Sequence, residues 1–118
     1  MKQEGHIEKG WGSELIWVTN NKYCGKFLRF HSGKQFSMHF HKRKEESWFV
    51  LSGEFQLKWI DTKTAQTYSV ILYPNDTWTN KPLVPHQLIC IQAGEILEVS
   101  TPDSIEDNYR VIPGDSQR

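Results

Sequence analysis

A chain of 118 residues is long enough to bury one hydrophobic core and short for two domains. Its 14 basic and 14 acidic residues balance to a net charge of zero, which argues against nucleic-acid-binding and membrane-surface proteins, since both carry a clustered basic excess. No apolar run approaches the roughly 20 residues of a membrane-spanning helix. We therefore expect one domain over residues 1–118, with neither nucleic acid nor a membrane as partner.

The N-terminal segment MKQEGHIEKG is polar and shows no periodicity, so residues 1–10 are predicted to form a loose arm or a short edge strand. The segment lacks the apolar core of a signal peptide. Without that export signal we expect a cytoplasmic protein, in which Cys24 and Cys90 are reduced thiols.

Short apolar and β-branched runs, separated by glycine, proline and asparagine, predict a chain built from strands. These runs lie at 14–19, 23–31, 47–51, 55–60, 67–73, 87–92 and 95–101. No stretch has the length and periodicity of an amphipathic helix, and residues 102–118 form a mostly polar tail. Many short strands with this punctuation predict an all-β sandwich or barrel.

The most informative stretch, residues 33–53, reads GKQFSMHFHKRKEESWFVLSG. His39 and His41 lie two residues apart in a segment with strand character, and alternate residues of a strand point to the same face. Glu46 follows beyond a basic run, where a turn would let a returning strand present its carboxylate to both imidazoles. His86, in KPLVPHQLIC, is a fourth candidate. Imidazoles and a carboxylate that converge on one point suit a divalent transition metal.

The glycines, histidines and glutamate of this stretch resemble the first motif of the cupin superfamily. The matching residues are Gly33, His39, His41, Glu46 and Gly53. The resemblance implies an all-β double-stranded β-helix, a jelly-roll cupin barrel, whose interior or mouth carries the ligands. It also implies one divalent metal ion bound by His39, His41, Glu46 and His86, and zinc, manganese, iron, nickel and cobalt all accept such donors.

The second cupin motif is kept in part. Pro82 and His86 stand at its proline and histidine positions. Its opening glycine, inner glycine and closing asparagine are replaced by Asn75, Val84 and Cys90. These departures affect the loop before His86 and leave the fold assignment in place.

A narrower resemblance covers most of the chain. Residues 37–53 are similar to SLQxHxxRxExWxVxxG, the signature of the type II mannose-6-phosphate isomerase domain, with His39 in place of the glutamine and Lys44 in place of the arginine. The signature residues in register are Ser37, His41, Glu46, Trp48, Val50 and Gly53. Further similar positions are 11–13, Tyr23 and Lys26 upstream, and Glu98, Val99, Glu106, Asp107 and Arg110 downstream.

This resemblance implies aldose–ketose isomerisation, in which a metal polarises the sugar carbonyl while a proton moves between neighbouring carbons. Lys26 and Arg110 are the expected catalytic residues, as holders of the substrate phosphate. Arg110 suits that task better, because a guanidinium engages two oxygens at once. The general base stays open among Glu45, Glu98, Glu106 and Asp107.

Two other functions remain open. Three histidines and one glutamate are also the ligand set with which cupin dioxygenases bind iron and activate oxygen, and His39 in place of the glutamine favours that pattern. The third function is non-catalytic sugar binding. In each case the expected partner is a small molecule, a phosphosugar or nucleotide sugar for the isomerase. An apolar outer sheet face would make a homodimer interface.

Overall fold

The computed structural model describes residues 5–102, 104 and 106–117. In that part of the chain there are eleven β-strands, one short 3₁₀ turn and no α-helix. The strands are β1 (His6–Lys9), β2 (Gly12–Thr19), β3 (Cys24–Phe30), β4 (Met38–Phe40), β5 (Glu46–Val50), β6 (Glu54–Ile60), β7 (Thr67–Leu72), β8 (Thr77–Asn80), β9 (His86–Gln92), β10 (Gly94–Ser100) and β11 (Tyr109–Ile112), and the turn is Asp115–Gln117. Nothing helical in the described ranges has the length and apolar character needed to cross a membrane.

The strands form two antiparallel sheets with a shared core. One sheet has the order β1-β2-β3-β10-β5-β8 and the other the order β11-β4-β9-β6-β7. The most deeply buried side chains come from both sheets: Val50 and Ile96 from the first, and Phe55, Leu57 and Leu88 from the second, each 0% exposed. Burying such a side chain is worth about 1.5–3 kcal/mol. The predicted single all-β jelly-roll domain is confirmed.

The two glycines of the first motif stand at turns that require them. Gly33 and Gly53 have φ angles of 80° and 86°, in the left-handed region that favours glycine. At Gly53 a Cβ atom would also lie 2.6 Å from the carbonyl oxygen of Gln92. The spacing of the motif is therefore set by the two glycine turns as well as by the positions of the candidate ligands.

The seven predicted strands are present, with ends that differ by at most two residues, and the N-terminal arm contains the edge strand β1. The strand Thr77–Asn80 was not predicted, and the polar segment 102–118 contains β11, which pairs with β4. The expected hairpin between the histidine strand and the Glu46 strand is wrong. The strand β4 pairs with β9 and β11, whereas β5 pairs with β10 and β8, so the chain crosses from one sheet to the other.

The outer face of the six-stranded sheet carries a row of apolar side chains, which we call the outer row. It takes one residue from each of four neighbouring strands, in register: Leu15, Phe27, Leu97 and Phe49. Phe49 is 36% exposed, while its chain neighbours Trp48 and Val50 are buried on the inner face. The homodimer stays a prediction, and this row is where we place it.

Candidate metal centre

Three histidine side chains converge between the two sheets. One nitrogen atom from each of His39, His41 and His86 lies within 4.8 Å of the other two. His39 on β4 and His86 on β9 are directly paired across their strands, so their side chains leave the same face. His41 lies two residues beyond His39 and points the same way. Three of the four predicted ligands are therefore brought together.

Backbone carbonyl groups fix the orientation of all three rings. The Nδ1 atom of each histidine faces a carbonyl oxygen. The acceptors are Ser37 for His39 at 2.7 Å, Asp107 for His41, and Val84 for His86 at 3.0 Å. Since a carbonyl only accepts, each Nδ1 carries the proton and each Nε2 keeps a lone pair, the arrangement typical of metal-binding histidines. The donor set fits a divalent transition metal.

Burial favours the neutral rings that metal binding needs. Desolvation, together with the neighbouring His86, lowers the pKa of His39 to about 3. Desolvation also lowers the pKa of His41 below its ordinary value. Both imidazoles are therefore neutral ligands at physiological pH.

Glu46, the fourth predicted ligand, lies beside this group and outside the set of three. Its Oε1 atom is 2.9 Å from Nε2 of His86 and 3.3 Å from Nδ2 of Asn80, and its Oε2 atom is 3.2 Å from Nζ of Lys44. Although burial acts to raise the pKa of Glu46, the Lys44 ammonium holds that pKa well below its usual range. The side chain is therefore an ionised carboxylate.

The contact between Glu46 and His86 indicates a place where a cation can bind. Nε2 of His86 is fully buried and has no hydrogen-bond partner among the described residues, because its 2.9 Å contact with the carboxylate lacks hydrogen-bond geometry. With the ring proton on Nδ1, a lone pair therefore faces a carboxylate oxygen. Two atoms with lone pairs repel each other at this distance, and a cation bound by both atoms removes that repulsion.

His39 and His41 line a cavity of about 340 Å³ between the sheets, near the lower end of the roughly 300–1,000 Å³ of small-molecule sites. Its wall is strongly charged. The cations are Lys9, Lys26, Lys44 and Arg110, and the carboxylates are Glu14, Glu46 and Glu98. Lys26 and Arg110, the expected catalytic residues, thus face the same cavity as the histidines.

Lys26 and Arg110 differ in their surroundings. Lys26 is buried, and its Nζ atom lies 2.9 Å from Oε1 of Glu14. Arg110 is exposed on β11 and forms no ion pair with any residue that the structure describes. It is paired in register with His39, so both side chains project from the same face of the sheet. An uncompensated guanidinium therefore stands next to the histidine group.

The model of the family described as mannose-6-phosphate isomerase C-terminal matches residues 1–107. The chain belongs to this family. A comparison with curated proteins found no match.

Solved structures of oxalate decarboxylases share the fold of this mannose-6-phosphate isomerase C-terminal family member. The Bacillus subtilis enzyme at pH 4.6 superposes with a TM-score of 0.80 and 18% identity, over 94% of this chain and 31% of that chain. The formate complex of the Lactobacillus farciminis enzyme gives a TM-score of 0.78 and 19% identity, over 94% and 35%. The chain spans about a third of the length of those proteins. The predicted cupin fold is confirmed. The description of another similar structure refers to Mn(II) centres in the Bacillus subtilis oxalate decarboxylase.

Four carboxylates are candidates for the general base of this family member. One of them, Glu98, lies in the cavity wall. Its Oε1 atom accepts a hydrogen bond from the indole N–H of Trp48 at 3.0 Å. Its Oε2 atom lies 3.5 Å from Nζ of Lys44 but accepts no hydrogen bond within the described ranges. Burial, together with the neighbouring Glu46, raises the pKa of Glu98 to about 8. Trp48 therefore holds one oxygen of the carboxyl group, and the other lies beside Lys44.

The other three carboxylates lie elsewhere. Glu45 pairs with Lys81 at 3.3 Å outside the cavity, and Glu106 is exposed. The buried carboxylate of Asp107 accepts hydrogen bonds from three successive backbone N–H groups. The donors are Lys42 at 2.8 Å, Arg43 at 3.1 Å and Lys44 at 3.1 Å. Asp107 therefore shapes the turn between the histidines and Glu46.

Sequence reasoning missed Lys9 and Glu14, because both belong to segments without a recognisable motif. A period-two pattern in β2 places Glu14 on the same face as Gly12 and Ile16, which was a weak signal for an inward carboxylate. Asn80 was also missed. It is paired with Glu46 in register and belongs to the unpredicted strand β8.

Proposed function

We propose that this domain is a metal-dependent enzyme that interconverts aldose and ketose phosphates. The observation that carries the proposal is the pairing of Arg110 with His39, which puts an uncompensated guanidinium beside the three-histidine group. A phosphate bound by Arg110 and a carbonyl directed to the histidines would then lie in one cavity of sugar-like dimensions. The family match supports the same chemistry.

The metal would be held by His39, His41 and His86, with Glu46 as the fourth ligand. Bound there, a divalent ion would supply Lewis-acid polarisation of the substrate carbonyl. The carbonyl oxygens that hold each Nδ1–H keep the three Nε2 lone pairs aimed at one point. Lys44 contacts one oxygen of the Glu46 carboxylate, and Asn80 donates a hydrogen bond to the other.

Arg110 would bind the phosphate group through two parallel N–H···O contacts. Its exposed position leaves the phosphate near solvent, where the desolvation cost of a doubly charged group is lowest. The carbon chain would extend inwards past the apolar wall formed by Trp11, Phe36 and Trp48. That wall excludes water from the carbons between which the proton moves.

Glu98 would carry the proton. Trp48 fixes one oxygen of its carboxyl group, and the other accepts no hydrogen bond from the described residues, while the residue itself lines the cavity. Above its raised pKa of about 8 the carboxyl group is ionised, and this oxygen would then remove the proton from the carbon next to the carbonyl and return it to the former carbonyl carbon, while the hydroxyl proton passes to the former carbonyl oxygen. Glu98→Gln keeps the shape and removes the proton carrier, so we expect turnover to fall by about 10²–10⁴-fold while metal content stays unchanged.

The assay is anaerobic interconversion of mannose 6-phosphate and fructose 6-phosphate by the metal-loaded protein. We expect Arg110→Lys to weaken binding or turnover without changing metal content, because an ammonium cannot make the two-point contact. Arg29→Lys is the matched control, since Arg29 pairs with Glu95 at 2.7 Å outside the cavity. Absence of both turnover and a ligand-induced melting shift across a panel of phosphosugars would refute the proposal.

A second function rests on the donor set itself. Three imidazoles and a carboxylate can also hold iron for oxygen activation. Oxygen uptake by the iron-loaded protein, without isomerase turnover, would establish that function instead. A melting shift with sugars, together with no activity in either the isomerase or the oxygen-uptake assay, would indicate a sugar-binding domain.

A further inference from the structure

Three charged residues on one side of the cavity have no role in the function proposed above. We call Lys9, Glu14 and Lys26 the Glu14 cluster. They come from the neighbouring strands β1, β2 and β3. Oε1 of Glu14 lies 2.9 Å from Nζ of Lys26, and Oε2 lies 3.4 Å from Nζ of Lys9. One carboxylate is therefore shared between two ammonium groups.

The cluster is largely removed from bulk water. The side chains of Lys26 and Glu14 are 8% and 11% exposed, and that of Lys9 is 34% exposed. A buried ammonium group is costly unless a carboxylate compensates it, so Glu14 supports Lys26 in this position. Within these three side chains, the shared carboxylate lowers the summed charge from +2 to +1.

The charge pattern of the whole cavity separates the Glu14 cluster from Arg110. Lys44 lies beside the carboxylates of Glu46 and Glu98. Across the residues that the structure describes, Arg110 is the cavity cation with no carboxylate partner. An anionic group of a ligand is therefore drawn to Arg110. The Glu14 cluster instead presents ammonium donors next to carboxylate acceptors, a combination that suits hydroxyl groups, which both donate and accept.

We infer that Glu14 sets the charge selectivity of the cavity: it makes the β1–β3 wall a surface for hydroxyl groups and restricts the cavity to ligands with a single anionic group. This inference rests on the proposed phosphosugar function. It names the substrate class as polyhydroxyl compounds that carry one anionic group, with one phosphate at Arg110 and hydroxyl groups at Glu14, Lys9 and Lys26.

The test is the variant Glu14→Gln, which keeps the side-chain shape and removes the negative charge. Binding of fructose 6-phosphate and fructose 1,6-bisphosphate is measured by calorimetry on the metal-loaded protein at low ionic strength, where charge effects are least screened. We expect the wild type to favour the monophosphate. In Glu14→Gln the ratio of the two dissociation constants should move at least tenfold towards the bisphosphate, because the negative charge that Lys9 and Lys26 share is then removed from the wall that the second phosphate would meet. A ratio within twofold of wild type would overturn the inference.

Two controls separate local charge from other effects. Glu95→Gln changes the net charge of the protein equally, but Glu95 lies on the outer face beside Arg29, so the ratio should stay at the wild-type value. The double variant Glu14→Gln, Lys26→Met restores the charge of the wall, so the ratio should return towards wild type. If the ratio of the double variant stays shifted, the effect is structural and the inference fails.

The outcomes also distinguish this inference from the proposed function. Binding of the monophosphate by the wild type with no shift in Glu14→Gln would overturn the inference alone. A gain of bisphosphate binding in Glu14→Gln, with no monophosphate binding by the wild type, would support the role of Glu14 and count against the isomerase. Absence of binding in every variant would overturn both.

Discussion

Replacing Asp107 by asparagine should destabilise the domain, because one carboxylate organises the turn that leads from the histidines to Glu46. Asp107 is 4% exposed. Its Oδ2 atom accepts the N–H groups of Arg43 and Lys44, and its Oδ1 atom accepts that of Lys42. An asparagine has one carbonyl oxygen. In its better orientation this oxygen takes the place of Oδ2 and keeps the hydrogen bonds from Arg43 and Lys44. The NH₂ group then faces the N–H of Lys42, which loses its acceptor.

The expected loss follows from this count. A hydrogen bond to a charged group contributes about 1.5–3 kcal/mol, and a buried donor left without an acceptor costs about 1–3 kcal/mol. We therefore expect Asp107→Asn to lower the free energy of unfolding by about 2–3 kcal/mol, and Asp107→Ala, which removes all three acceptor contacts, by about 4 kcal/mol or more. For a domain of this size, 2–3 kcal/mol corresponds to a fall in Tm of roughly 10 °C.

The assay is urea unfolding of metal-free protein, followed by circular dichroism, with Glu106→Gln as the control. Glu106 is the exposed neighbour of Asp107, and its replacement should change the stability by less than about 0.5 kcal/mol. The linear dependence of the unfolding free energy on urea should keep its slope in all variants. An Asp107→Asn protein as stable as the Glu106→Gln control would refute the assigned role of this carboxylate.

Three further predictions concern the metal, a thiol and the assembly. His41→Ala should abolish stoichiometric binding of a divalent ion, measured by elemental analysis, whereas Glu45→Gln should leave it nearly intact. Loss of the metal in Glu45→Gln but not in Glu46→Gln would show that the glutamate ligand is assigned one residue out of register. Burial raises the pKa of the Cys90 thiol to about 11, so at pH 8 the thiolate is roughly one part in a thousand. Cys90 should therefore resist iodoacetamide in the folded protein and react in urea, as mass spectrometry of the peptides would show. Phe49→Glu in the outer row should convert a dimer into a monomer by light scattering, and a monomeric wild type would contradict the predicted interface.

The sequence predicted those parts of the site that depend on local spacing. Period two along a strand put His39 and His41 on one face, and the motif glycines marked the turns around them. The position of Arg110 depends on the pairing of β11 with β4, which crosses about seventy residues and contains a register shift just after Arg110. No local pattern specifies such a pairing.

The partner of Lys26 shows the same difference. The family resemblance predicted Lys26 as a residue that contacts the substrate, but its pairing with Glu14 follows from the alignment of two strands and from how far each side chain reaches. The strand β8 was missed because TWTN is short and is followed by two prolines, which masked its pairing with β5. Long-range register, rather than residue chemistry, was the missing information.

The dependence of His41 on Asp107 has a consequence for biogenesis. The carbonyl group that orients His41 and the carboxylate that shapes the next turn both belong to one residue, 66 positions further along the chain. During synthesis His39 and His41 leave the ribosome well before this residue does. At roughly 5–20 residues per second, several seconds separate their emergence from that of Asp107. A nascent chain therefore exposes metal-binding side chains before it can orient them, and the orientation of His41 has to wait until Asp107 has emerged.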